Sequence, residues 1–217
     1  MVGNLSLIIL VSLLTINLFG QFPELANVLP SLINHDIKYD PSYYKIPYPM
    51  GDVPADRGVC TDVVIRAYRK IGIDLQQLIH EDMKQRFWRY PQKYGLKEPD
   101  SNIDHRRIPN LVRFFEFYGE ELPISWNPGI YKPGDIVVWD LSNADGKGIL
   151  HIGIVSDSLW KERDRKVLEE DGVDVDAIPD EYILLHNIGR GQRLNGNLFQ
   201  WQIIYHYRYL GEYANKK

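Results

Sequence analysis

Residues 51–72 read GDVPADRGVCTDVVIRAYRKIG and hold the chain's one cysteine, Cys60. Val63, Val64, Ala67, Tyr68 and Ile71 recur at helical spacing, which predicts an amphipathic helix from about Cys60 to Ile71. Gly72 follows where a left-handed residue commonly closes a helix. Cys60 then falls in the first turn, where unpaired N–H groups and the macrodipole favour negative charge. A thiol placed there is expected to ionise more readily and to act as a nucleophile. The competing reading is a buried cysteine serving as a small apolar side chain.

On the N-terminal side, residues 21–50 are rich in Pro and Tyr and read as an extended, turn-punctuated lead-in. On the C-terminal side, Leu75, Leu78, Ile79 and Met83 predict a second helix over roughly 74–88. Tyr90 to Ile108 is polar and reads as loop. Ile108, Leu111, Val112 and Phe115 predict a third helix, ended by Gly119. From Pro133 the pattern changes to short β-rich runs: Ile136–Leu141, Leu150–Ser156, Tyr182–Ile188 and Ile203–Tyr209. Helices followed by consecutive strands predict an α+β fold, with N-terminal helices packed on an antiparallel sheet. Lys161 to Asp180 is charged and poor in aromatics, and is expected to be a solvated insertion outside the core.

The length of 217 residues and 44% hydrophobic content suit a single domain, here over 21–217. A net charge of −4 without a basic cluster argues against a nucleic-acid partner. Fourteen Tyr and five Trp point to a surface or cleft rich in amphipathic rings, which suits sugar or peptide ligands. One cysteine excludes an intrachain disulfide framework and a multi-cysteine zinc site. His80, Glu81 and Asp82 are consecutive, so on a helix they point around it and cannot converge on a metal. No metal or cofactor is expected. Residues 5–19, LSLIILVSLLTINLF, have about the length of a signal-peptide core and are short for a membrane span. Residues 1–20 are therefore read as a signal peptide or N-terminal anchor. The expected location is periplasmic or extracellular, with no membrane partner beyond that anchor, and the protein is expected to be a monomer.

A thiol that attacks an amide needs a base to take its proton, and a third polar group to orient that base. His151 opens the run HIGIVSD and His186 lies in LLHNIGRG. Two imidazoles on neighbouring strands are hard to explain as core filling, although either alone could be a satisfied structural histidine.

The ordered elements GVCTDVVIRAYRKIGI, KPGDIVVWD with HIGIVSD, and LLHNIGRG resemble the cell-wall cysteine peptidases of the NlpC type, in the papain-like superfamily. GDVPADRGVCTDVVIRAYR, NIDHRRIPNL and HNIGRG resemble more closely an uncharacterised bacterial domain family placed in that superfamily. The resemblance implies Cys60 as nucleophile, His151 as base and His186 as the orienting residue. It also implies Tyr48 as a tyrosine lining the oxyanion site, beside the backbone N–H of Cys60. The chain reads Val-Cys-Thr-Asp where NlpC-type enzymes commonly read Asp-Cys-Ser-Gly, so Asp62 replaces a small residue close to the nucleophile, and Asp62 and Asn187 count among the candidates for the oxyanion or substrate-binding site.

Within Asp104–Arg107, His105 and Arg106 are candidates for binding a substrate carboxylate, because Arg suits bidentate recognition. The alternative is a helix-start network of caps and ion pairs. His186 and Asn187 alternate to opposite strand faces, so only one can meet His151, and the motif position selects His186. The resulting expectation is a cysteine hydrolase that cleaves an amide bond in peptidoglycan stem peptides. An acyltransferase or transpeptidase on the same fold, and a non-catalytic module binding cell wall or a partner protein, are the alternatives.

Overall fold

The computed structural model describes residues 24–92, 95–142, 148–156, 169, 184–196 and 198–211. The expected leader at 1–20 and nearly all of the charged insertion at 161–180 lie outside those residues.

The helix expected around Cys60 forms as α1, Cys60–Lys70. Val63, Val64, Ala67 and Tyr68 make its buried face. Gly72 takes the left-handed conformation at φ 80°, and its N–H and that of Ile73 bond back to Arg69 and Tyr68 carbonyls. Helix α2, Leu75–Arg86, starts at Asp74, whose carboxylate accepts from Gln76 N–H. Helix α3, Ile108–Tyr118, ends at Gly119. A Cβ there would come 2.8 Å from Phe115 O and 3.0 Å from Arg208 O, so only glycine lets the helix end meet the sheet this closely.

Eight strands are present among the described residues: β1 Lys38–Tyr39, β2 Arg57–Gly58, β3 Glu120–Glu121, β4 Ile136–Asp140, β5 Leu150–Val155, β6 Leu184–Asn187, β7 Gln192–Asn195 and β8 Gln202–Arg208. β3 to β8 form one antiparallel sheet in the order β3-β8-β4-β5-β6-β7. The fold is thus α+β, with helices against an antiparallel sheet, as the order of patterns predicts.

Strand alternation splits the buried side chains between two faces. Ile136, Val138, Ile152, Ile154, Leu185 and Tyr207 face α1 and α3, where they join Tyr68, Phe114, Phe115 and Tyr209. Val137, Trp139, Val155 and Leu184 face the other way and pack with Tyr131 and Leu198. Two expectations change. The lead-in is not simply extended: Leu29–Leu32 forms a 3-10 turn, and Leu25 and Leu29 are buried in the helix-side core. The loop before α3 contains a buried 3-10 turn, Asp104–Arg106.

Candidate active site

Cys60 is the first residue of α1, and the turn before it is held by charge. Asp62 Oδ2 accepts from Val59 N–H at 2.7 Å, which satisfies a donor at the helix start. Arg106 forks onto the same carboxylate, with Nε to Oδ1 at 2.8 Å and Nη2 to Oδ2 at 3.1 Å. Its remaining donors reach Ser42 O and Asp40 O, and Thr61 Oγ1 donates to Arg106 O. The side chains of Arg106 and Asp62 are only 1% and 3% exposed. Both were candidates for substrate contact. The structure makes them a buried strut between α1, the Asp104–Arg106 turn and the 40–42 segment, with every charged donor turned inward.

That strut places a tyrosine the sequence reading missed. β1 pairs with β2 in parallel, with Tyr39 opposite Gly58. Tyr39 is 46% exposed overall, but its hydroxyl lies against the Cys60 thiol, and the local loss of water and the thiol together hold its pKa above the ordinary value. It therefore stays a donor. Tyr48, the expected oxyanion residue, donates instead to Glu81 at 2.6 Å and sets its ring edge-on to His80. Only the β1–β2 register distinguishes Tyr39 from the other tyrosines of its segment.

The thiol itself departs from expectation. Burial pushes the Cys60 pKa up to about 11, and the Asp62 carboxylate adds to the rise. The Ile152 and Thr61 amides and the Tyr39 hydroxyl pull it down by less. The helix start favours the thiolate, but desolvation outweighs it. At rest the sulfur is protonated.

His151 stands opposite Trp139 in the β4–β5 ladder, and the two rings stack with centroids 5.7 Å apart. Its Nε2 lies 2.7 Å from His186 Nδ1. Trp201 abuts both rings, at 6.1 Å and 6.4 Å between centroids. Gly153 makes room for this cluster, since a Cβ there would come 3.2 Å from His186 Cβ and 3.3 Å from the Trp139 ring. Burial lowers the pKa of His151 to about 3 and of His186 to about 4, with the facing imidazole adding to the first and Arg193 to the second. Both are neutral at pH 7. With Nε2 bonded to His186, Nδ1 is the His151 nitrogen left to accept a proton.

The histidine pair and the cysteine lie on opposite faces of the sheet. His151 and His186 share the face of Trp139, whereas Ile152 and Cys60 belong to the α1 side. The β5–β6 pairing covers Ile154 with Leu185 and Val155 with Leu184. Beyond it, Asn187 turns to the α1 side and donates to Gly58 O at 3.2 Å, so the turn carrying Cys60 docks at the end of this ladder. There the thiol faces the backbone N–H of Ile152, one residue from His151. Among the described residues, no hydrogen bond joins Cys60 Sγ to an imidazole. The sequence expectation that His151 and His186 pair is met. The expectation that they close directly on Cys60 is not met in this conformation, because the imidazoles alternate away from α1. Asn187 is the β6 side chain that touches the cysteine turn.

His105 is buried beneath α2, and its Nδ1 has no hydrogen-bond partner among the described residues. Burial, with Arg106 and Arg69 nearby, lowers its pKa to about 3. It does not face an open site. Among the described residues no group of three His, Cys, Asp or Glu side chains could hold a metal ion. No described helix is long and apolar enough to cross a membrane.

An α+β domain with a helix-start cysteine docked beside a histidine pair is the class defined by these features. The chain belongs to the family described as domain of unknown function (DUF1287), whose model matches residues 29–209. It is similar to the Escherichia coli (strain K12) protein described as "Uncharacterized protein YijF". The two are 48% identical over 177 residues, which cover 82% of this chain and 76% of the relative. No solved structure matches the chain.

Proposed function

We propose that this protein is a papain-like cysteine hydrolase of the NlpC type, acting on an amide bond of peptidoglycan stem peptides in the periplasm or outside the cell. The observation that carries this reading is the His151–His186 hydrogen bond at 2.7 Å, beside the strand position whose amide faces the Cys60 thiol. In this reading Cys60 gives its proton to His151 Nδ1 as sulfur attacks the amide carbonyl. The tetrahedral oxyanion is met by the Cys60 N–H and the Tyr39 hydroxyl. His151 then protonates the leaving amine, and a thioester remains. Water, activated by the same imidazole, releases the acid and restores the thiol. His186 keeps Nδ1 of His151 free to act. Because the imidazoles and the thiol approach from opposite faces, bound substrate must bring the sulfur towards His151 before proton transfer.

One observation favours the non-catalytic alternative: Cys60, His151 and His186 are 4%, 2% and 0% exposed. Digestion of purified sacculi with the wild type and with Cys60→Ala decides between them. New fragments by mass spectrometry with the wild type only support the hydrolase. Equal digestion by Cys60→Ala, or none by the wild type, overturns it.

A further inference from the structure

A cavity of about 240 Å³ lies next to the histidine pair and is lined by Ile124, Ser125, Trp126, Phe199, Trp201, Gln202 and Ile203. Its position follows from the sheet. Trp201 leads into β8 on the same face as His151 and His186, touches both imidazoles and also lines this cavity.

Trp126, 79% exposed, is a second indole of the same lining. An exposed indole is costly to hold out in water, yet the loop beneath it is tightly fixed. Asn127 N–H donates to Ser125 Oγ, Gly129 N–H donates to Asn127 Oδ1, and the Tyr131 hydroxyl bonds both Ser125 N–H and Ser125 O. Phe199 supports the indole at 5.5 Å between centroids. A ring held open by a rigid loop is preorganised for contact.

The residues lining this cavity include no charged side chain. A free carboxylate or ammonium of a peptide would find no counter-charge there. What the cavity offers is three aromatic rings, Trp126, Phe199 and Trp201, beside Ile124 and Ile203, with the Gln202 amide and the Ser125 hydroxyl in the same lining. Those are the complements of a pyranose ring, whose C–H faces lie on aromatic rings while its hydroxyl edge bonds neutral polar groups.

We propose that this cavity is a saccharide subsite, which binds a sugar ring of a glycan strand beside the candidate catalytic pair. It rests on the hydrolase reading only for the purpose of the subsite, because binding itself needs no turnover. The test is calorimetric titration of the full chain with the β-1,4-linked tetrasaccharide of N-acetylglucosamine, and in parallel with an uncharged, acetylated and amidated leucine tripeptide. The expected result is weak, saturable tetrasaccharide binding that falls at least tenfold in Trp126→Ala and is restored in part by Trp126→Phe. The thermal midpoint should stay unchanged, because the ring is exposed. No saccharide binding by the wild type, equal binding by Trp126→Ala, or preference for the tripeptide would overturn the proposal. Loss of sacculus cleavage in Cys60→Ala, or its persistence, leaves this titration unaffected, so the two readings fail separately.

Discussion

His151 Nε2 and His186 Nδ1 lie 2.7 Å apart on adjacent antiparallel strands, on the sheet face that turns away from α1. In the proposed hydrolase that pairing would give His186 the orienting role, while Asn187 holds the cysteine turn through Gly58 O. His186→Ala is expected to lower kcat on sacculi with little change in fold, and His151→Ala to lower it on the order of 10²- to 10⁴-fold. Asn187→Ala is expected to act differently. It removes the bonds to Gly58 O and Gly189 N–H and should cost about 1–3 kcal/mol of stability. Thermal melts set beside turnover separate the two. A His186→Ala variant with wild-type kcat would remove its orienting role.

Tyr39 acts on the thiol as one of its smaller influences. Its hydroxyl is the side-chain donor that lowers the Cys60 pKa, against the larger rise from burial. Tyr39→Phe should therefore slow iodoacetamide alkylation of Cys60 and move its pH profile upward, with the fold retained. In the wild type, alkylation at pH 7 should already be slow, because the pKa lies at about 11. Rapid labelling at neutral pH would show a thiolate that this resting arrangement does not support.

The Asp62–Arg106 pair is structural in this arrangement. Asp62→Ala leaves a guanidinium buried without its carboxylate, and should destabilise the protein by about 3–5 kcal/mol. The double change Asp62→Leu with Arg106→Met should recover much of that loss. Denaturant melts of the single and double variants give the comparison. A single variant with wild-type stability would return Asp62 to the list of substrate-facing groups.

Acid should destabilise the fold through its buried imidazoles. His151, His186 and His105 have folded pKa values lowered to about 3, 4 and 3, against an ordinary value of 6.5. A depressed folded value means that stability is present above pH 6.5 and is lost as pH falls towards 4 and 3. Asp104 works the other way: burial raises it to about 6, so its contribution is present below 3.8 and lost as pH rises through 6. Three imidazoles oppose one carboxyl, so the thermal midpoint should fall between pH 7 and pH 4.5. His105→Gln should flatten that curve. A midpoint that rises on acidification would contradict the buried-neutral assignment.

The sequence by itself determined the three helices, the strands β4, β5, β6 and β8, and their order; the short β1, β2 and β3 were not legible in it. The apolar spacing of Val63, Val64, Ala67 and Tyr68 can be satisfied only by a helix with one buried face, and Gly72 can end it at positive φ without a Cβ clash. The near-continuous β-rich runs IVVWD and LHIGIV likewise suit strands buried on both faces. Local periodicity is a property of neighbours along the chain, so it is readable there. β7 was not legible, because QRLN carries little apolar signal and gains its place by pairing with β6. The site was legible in its residue types and only partly in its geometry. Motif positions put Cys60, His151 and His186 together; the structure pairs His151 with His186 on one sheet face and sets Cys60 on the other. Which face each side chain takes depends on strand register, and the ionisation of the thiol depends on how far tertiary packing removes it from water. Tyr39 beside the sulfur, Asp62 locked to Arg106 and a protonated resting Cys60 all come from contacts between segments distant in sequence, which no local pattern encodes.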